Sequence, residues 1–160
     1  MAGTLDGRAF RNTLGQFCTG VVIAAGNCDG ELKGFAAQSF TSLSLEPPLV
    51  AVCPAKTSTS WPKIRTTGAF CINVLAADQK PVCDAFAKPG EAAAIGWRRG
   101  VTGAPVLDGV IAYIDCELEA EHDAGDHTIA VGRVRDIQVV DAGKAPLLFF
   151  RGMYGTFGSF

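Results

Sequence analysis

The sequence predicts a mainly β protein: a closed antiparallel barrel of six or seven strands with a few short flanking helices. Three observations carry this. Residues 114–121 alternate, with Ile114, Cys116, Leu118 and Ala120 on one face and Asp115, Glu117, Glu119 and Glu121 on the other. That is the period of a strand covered on one side. Short β-branched and apolar runs recur along the chain with turn residues between them. Most connections are too short to hold the crossover helices of a βαβ sheet, which favours a barrel.

The elements follow in order. Leu5, Ala9, Phe10, Leu14 and Phe17 fall at helical spacing, with Thr4 or Asp6 available as a cap. TGVVIAAG reads as a strand that stops at Asn27-Cys28-Asp29-Gly30, a hairpin turn with glycine where positive φ is needed. The return strand runs from about Leu32 toward Phe40, and Leu49–Cys53 is a further buried strand. Residues 56–68 predict a short helix with Ser58 or Ser60 near its start and Pro62 in its first turn. AFCINVL is the next strand, and Asp78 to Ala87 a second helix ended by Pro89-Gly90. Residues 91–109 are punctuated by glycine and proline and carry no clear element. A turn around Ala124-Gly125-Asp126 returns the alternating strand through TIAVGRVRDIQVV. A three-residue loop there sets Glu117 opposite Arg133 and Asp115 opposite Arg135, ion pairs that help fix register.

Composition narrows the function. At 160 residues the chain predicts one domain, residues 1–160. Its 19% charged residues, net charge of −2 and lack of a basic block argue against a nucleic-acid partner. No apolar run approaches the roughly 20 residues of a membrane helix, so no membrane is expected. The first residues lack the pattern of a signal peptide. The scattered cysteines form no CxxC and read as small buried hydrophobes of a cytoplasmic protein.

Neither GxGxxG nor GxxxxGK[ST] occurs, so the usual phosphate loops are missing. Cys116, His122 and His127 form C-x5-H-x4-H. An extended strand puts Cys116 and His122 about 20 Å apart, so no metal site is expected. His127 reads either as a turn residue or as a functional group at a hairpin end. Ser39-Phe40-Thr41-Ser42-Leu43-Ser44 leaves hydroxyls on both faces of an extended chain, and buried hydroxyls must find partners. Lys56-Thr57-Ser58-Thr59-Ser60 follows one strand later, where a helix start could receive a phosphate. Neutral donors beside an anion site suit a flat polar heterocycle with a phosphate tail.

The segment 34–53, GFAAQSFTSLSLEPPLVAVC, resembles the flavin reductase-like family, in which a small residue, a polar residue and Ser-Phe precede a Ser-Leu-x-Pro-Pro-Leu-Val strand. AFCINVL followed by CDAFAKPG is similar to the family's Phe-x-x-Asn-Val-Leu strand and its helix ending in Phe-Ala. Gly125-Asp126-His127-Thr128-Ile129, with Gly132 and Val134, resembles its Gly-Asp-His motif. Residues 146–154, from Pro146 to Tyr154, resemble its closing strand. The motifs run in order from about Phe10 to Tyr154.

The resemblance implies an FMN-binding split β-barrel of Greek-key type, a homodimer with flavin near the subunit interface, and a reductase supplying reduced FMN or FAD to a partner monooxygenase. NADH or NADPH would be the co-substrate. It further implies that Ala37, Gln38, Ser39, Phe40 and Thr41 line the flavin ring, with Gln38 where asparagine is common. Cys53 and Pro54 would flank the ribityl chain, with Lys56, Ser58 and Ser60 near the phosphate. Phe86 and Ala87 would cover the flavin, and His127 would act at the nicotinamide with Tyr154 nearby. In such a site neutral donors stabilise charge on reduced flavin and still let it leave. A storage or sensing flavoprotein on the same barrel is the alternative, but it has no need of His127. An enzyme of the pyridoxamine-phosphate oxidase type expects several basic residues where this chain shows mainly Lys56.

Overall fold

A computed structural model describes residues 5–88 and 90–160. Asp6 caps helix α1 (Gly7–Leu14), its carboxylate accepting from the Arg8 and Ala9 amides. The Thr4 alternative lies outside the described residues. The apolar side chains of α1 meet no core: Phe10 is 50% and Leu14 57% exposed, and no residue of the helix is buried.

Strands β1 (Thr19–Gly20) and β2 (Val22–Cys28) follow, then β3 (Glu31–Ala37) after a turn whose central residues Asp29 and Gly30 both have positive φ. This is the two-residue geometry that matches strand twist. The predicted return strand stops three residues early. Residues 38–40 leave the ladder, and the hydroxyl-rich stretch forms a separate strand, β4 (Thr41–Leu45), paired with β5 (Pro48–Val52). Helix α2 (Trp61–Thr67) starts where the sequence placed it, with the Trp61 amide donating to Ser58 Oγ at 3.1 Å and Gly68 ending it at φ 73°. Its buried Trp61 and Ile64 seat it on β2, where any side chain at Gly26 would meet Ile64 carbons at 2.9 Å.

Strand β6 (Ala69–Val74) leads to a 3-10 turn (Ala77–Gln79) and helix α3 (Lys80–Phe86). Pro89, expected to end this helix, lies outside the described residues. The unassigned region contains a 3-10 turn (Glu91–Ala94) and a hairpin of β7 (Trp97–Arg99) and β8 (Pro105–Leu107). The long strands β9 (Ala112–Ala124) and β10 (His127–Val139) are followed by β11 (Leu148–Phe150) and β12 (Met153–Gly155).

Seven strands form one antiparallel sheet in the order β3-β2-β6-β9-β10-β5-β4. Val22 and Ala24 of β2 share a buried cluster with Val50 and Val52 of β5, four places away in the sheet, so the sheet curls around its core. The hydrogen-bonded ladder does not close as expected. Its edges β3 and β4 are joined only through residues 38–40, which is where the barrel is split.

The β9–β10 hairpin corrects two expectations. Its turn is the two-residue Gly125-Asp126, and bulges between Val131 and Gly132 and between Val134 and Asp136 shift the register. Glu117 still faces Arg133, but Asp115 faces Asp136. The ion pairs run diagonally, Arg133 to Glu119 and Arg135 to Glu117. Asp115 is fully buried, not on an exposed face, because the β7–β8 hairpin covers that side of the sheet. Its carboxylate accepts from the Thr102 amide at 2.8 Å and the Thr102 hydroxyl at 2.5 Å. Buried Asn73 holds the same hairpin, accepting from the Leu107 amide and donating to the Pro105 carbonyl. Buried polar groups satisfied in this way fix position more than they add stability.

Candidate functional site

A groove of about 530 Å³ opens at the split. One wall is β3 (Gly34 to Ala37) and the residues that leave the ladder, Gln38 and Ser39. The facing wall is Cys53 and residues 55–60 excluding Lys56, with Phe86 and His127 completing the rim. Gly34 is required by close approach: a Cβ there would stand 2.6 Å from the Phe86 ring, so glycine lets α3 place that ring over the strand.

The hydrogen bonds show what the wall offers. Ser39 Oγ accepts from the Cys53 amide at 2.9 Å, which fixes the oxygen and leaves its proton free to donate. Gln38 Oε1 accepts from Thr19 Oγ1 at 3.4 Å, leaving the amide NH2 to donate. Because residues 38–40 are outside the sheet ladder, their backbone groups face no strand partner. The loop opposite is pinned to the β9–β10 tip: Thr128 N–H donates to the Pro54 carbonyl, and Lys56 N–H donates to the Asp126 carbonyl. That pinning carries His127 into the groove, where its Nδ1 lies 2.7 Å from Asp126 Oδ1. The bond to His127 holds the Asp126 carboxyl below the usual carboxylate range, so Asp126 orients the ring and leaves Nε2 directed away from it.

Of the residues named from sequence, Ala37, Gln38, Ser39, Cys53, Ser58, Ser60, Phe86 and His127 line this one groove. The others lie elsewhere. Phe40 packs against the core cluster that contains Val50 and Val52, and Thr41 is on β4 with its hydroxyl directed to the Ser42 carbonyl. Pro54 is buried. Lys56 points into a neighbouring cleft and pairs with Asp123. Ala87 lines a different adjoining cleft. Tyr154 sits against α3, its hydroxyl 3.5 Å from Cys83 Sγ and its ring edge on Phe149, and does not line the groove with His127. The bond to Cys83, together with burial, pushes the Tyr154 hydroxyl up to about 12.

The sequence reading missed Gly34, Phe35, Ala36 and Ala55 as lining residues, and passed over Thr57 and Thr59 within the polar cluster it had noted. Period-two counting from Ala37 would have found some of the β3 residues. Nothing local signals Ala55, which enters through its bridge to His127.

The groove can be tested against a flavin. A ring needs a flat neutral donor wall and a covering aromatic, and the groove has both in Gln38–Ser39 and Phe86. A phosphate needs clustered donors, and Ser58, Thr59 and Ser60 supply hydroxyls at one end. The volume lies within the roughly 300–1,000 Å³ of ligand pockets. These residues fit the group.

Comparison with known proteins agrees. The family model described as "Flavin reductase like domain" matches residues 14–158. The reductase subunit HsaB of a flavin-dependent monooxygenase from Rhodococcus jostii is 50% identical over 155 residues, covering 96% of this chain and 79% of its own. The FMN reductase (NADH) SmoA of Agrobacterium fabrum is 41% identical, covering 97% and 88%. A crystal structure of nitrilotriacetate monooxygenase component B from Mycobacterium thermoresistibile superposes with a TM-score of 0.92 at 46% identity, covering 96% and 87%. The chain belongs to the flavin reductase-like family.

Proposed function

We propose that the groove at the split binds the flavin, with the ring against Ala37, Gln38 and Ser39 and the phosphate end toward Ser58 and Ser60. The chain is an NAD(P)H-dependent flavin reductase that provides reduced FMN or FAD to a monooxygenase component. When bound, the flavin supplies the hydride acceptor and the reduced nicotinamide the donor. The protein's residues do the positioning. Ser39 Oγ, fixed by the Cys53 amide, presents its proton to the ring edge, and the Gln38 amide extends the same row of donors. Such donors stabilise charge where it develops and cost no reorganisation. His127, held by Asp126 at the rim of the groove, would position the nicotinamide through its other ring nitrogen. Phe86 keeps water from one side of the groove.

The observation that carries this reading is the convergence of a neutral donor wall and an oriented histidine on one groove. Among the described residues no lysine or arginine lines it, which favours exchange of flavin over permanent retention.

We further read the protein as a homodimer acting in the cytoplasm, where reduced nicotinamide and free thiols coexist. Exposed Phe10 and Leu14 of α1 and Phe17 just after it line a groove with Phe149 and Arg151, and Met153 and Phe157 are 65% and 67% exposed nearby in sequence. Apolar surface of this kind is normally covered by a partner. Gln38 lines both that groove and the flavin groove, so a second copy seated there would approach the ring end.

Steady-state oxidation of NADH and NADPH with added FMN, FAD or riboflavin tests the function. Turnover with free flavin is expected, and none with any acceptor would refute it. Light scattering should give a dimer, and a monomer with full flavin affinity would refute that part.

A further inference from the structure

We propose that Glu121, which lies outside the flavin groove, is a positioning residue for the flavin's phosphate and acts through Trp61 and Ser58. This rests on the flavin reading above. Residues 55–60 form a partition between two clefts. Their front presents the hydroxyls of Thr57, Ser58, Thr59 and Ser60 to the flavin groove. Behind them lies a cleft of about 340 Å³ whose lining includes Lys56, Trp61, Arg65, Glu121 and Asp123. Each cation of this back cleft is matched to a carboxylate, Lys56 to Asp123 and Arg65 to Glu121.

A continuous chain of hydrogen bonds crosses the partition. Glu121 stands on β9 with its side chain only 19% exposed. Its Oε1 accepts from the Trp61 indole N–H at 2.8 Å, and its Oε2 accepts from Arg65 Nε at 2.8 Å. Trp61 opens α2 and is buried, and its amide donates to Ser58 Oγ at 3.1 Å. That bond uses one lone pair of Ser58 and leaves the hydroxyl proton free to donate into the groove. The edges of Phe35 and Phe70 hold the indole ring, with centroids 6.1 and 5.7 Å away. Packing therefore retains the ring, and Glu121 fixes its polar end. A buried indole N–H needs a partner, and a carboxylate is a strong one. Neither Trp61 nor Glu121 lines the flavin groove, so their effect on the flavin passes through Ser58.

Riboflavin has the ring of FMN without the phosphate, so it separates positioning of the phosphate from general damage. Charge supplies a sign. Removing Glu121 deletes a negative charge and frees Arg65, changes that by Coulomb attraction alone would tighten an anion. Weakened FMN is therefore not an effect of the charge change. Affinities for FMN and riboflavin are measured by titration for the wild type, Ser58→Ala, Glu121→Ala, their double variant, Glu121→Gln and Trp61→Phe. Ser58→Ala and Glu121→Ala should each weaken FMN about fivefold and leave riboflavin within twofold. The double variant should be no weaker than Ser58→Ala, because both changes remove one contact. Glu121→Gln keeps an oxygen for the indole and should restore most of the FMN affinity. Trp61→Phe keeps every charge, loses the N–H and should match Glu121→Ala; if it does not fold, the Glu121 series decides. Equal weakening of FMN and riboflavin, tighter FMN, or additive losses in the double variant overturns the proposal. So does unchanged FMN affinity in Glu121→Ala beside a weakened Ser58→Ala. Unchanged FMN affinity in Ser58→Ala instead refutes the underlying placement of the phosphate.

Discussion

The two ends of the β9–β10 hairpin each carry an aspartate, and the two are used in opposite ways. At the root, Asp115 is buried under the β7–β8 hairpin and both carboxylate oxygens are bonded to Thr102. At the tip, Asp126 is exposed and its carboxylate holds His127 at the rim of the groove. The buried aspartate secures one hairpin to the sheet. The exposed one orients a neighbour and contributes little to the fold. Burial separates a residue whose loss unfolds the protein from one whose loss slows it.

The largest effect expected from this contrast is at the root. Asp115→Ala removes two charge-assisted bonds and leaves the partly buried Thr102 amide and hydroxyl proton without their acceptor, at a cost of about 3 kcal/mol. Denaturant unfolding should show this loss, with KM for NADH unchanged in the folded fraction. Lost activity at full stability would break the contrast.

At the tip the expectation reverses. His127→Ala should raise KM for NADH or slow hydride transfer about tenfold, the factor that a lost hydrogen bond of about 1.4 kcal/mol gives. Flavin affinity should hold. His122, exposed just before the turn, is the control. Equal losses in His122→Ala and His127→Ala would mean hairpin damage and no role at the nicotinamide.

Between the ends, Glu121 gives a smaller, pH-dependent effect. Burial raises its carboxyl, but hydrogen bonds from Arg65 at 2.8 Å and Trp61 at 2.8 Å outweigh this and leave it lowered overall. A lowered carboxyl stabilises the fold above the unfolded-state pKa, and that stability is lost as pH falls through the folded value. Wild type should therefore melt above Glu121→Gln at neutral pH by about 1 kcal/mol, with the gap closing in acid. A gap that persists below both values would assign it to packing. The smallest effect belongs to the half-exposed Glu117–Arg135 pair, where Glu117→Ala should leave stability unchanged by thermal melting.

The contrast also marks what the sequence made legible. Local chemistry was readable: the Asp29-Gly30 turn, the Ser58 and Pro62 start of α2, and the two long strands of the β9–β10 hairpin stand as expected. The burial of Asp115 was not, because alternation identifies two faces and cannot say whether a distant hairpin covers the second. Bulges likewise leave no local signature, so the ion pairs moved to diagonal partners. The hydroxyl run was found, but its division into the free residues 38–40 and strand β4 depends on pairing with β5. Of the candidate site, the residues carried by motif largely converge on one groove, whereas Lys56 and Tyr154 are held by Asp123 and Cys83. The cleft that Ala87 lines, with Lys33, Lys63 and Lys88 around it, joins β3, α2 and the end of α3, three segments that only the fold brings together.

The central claim, that the groove between Ser39 and His127 holds a flavin for reduction by a nicotinamide, is tested most directly by anaerobic stopped-flow mixing. The protein is loaded with FMN and mixed with NADH while the visible absorbance of oxidised flavin is followed. The account predicts rapid bleaching in the wild type and bleaching about tenfold slower, or saturating at higher NADH, in His127→Ala. Flavin that stays oxidised in the wild type would contradict it.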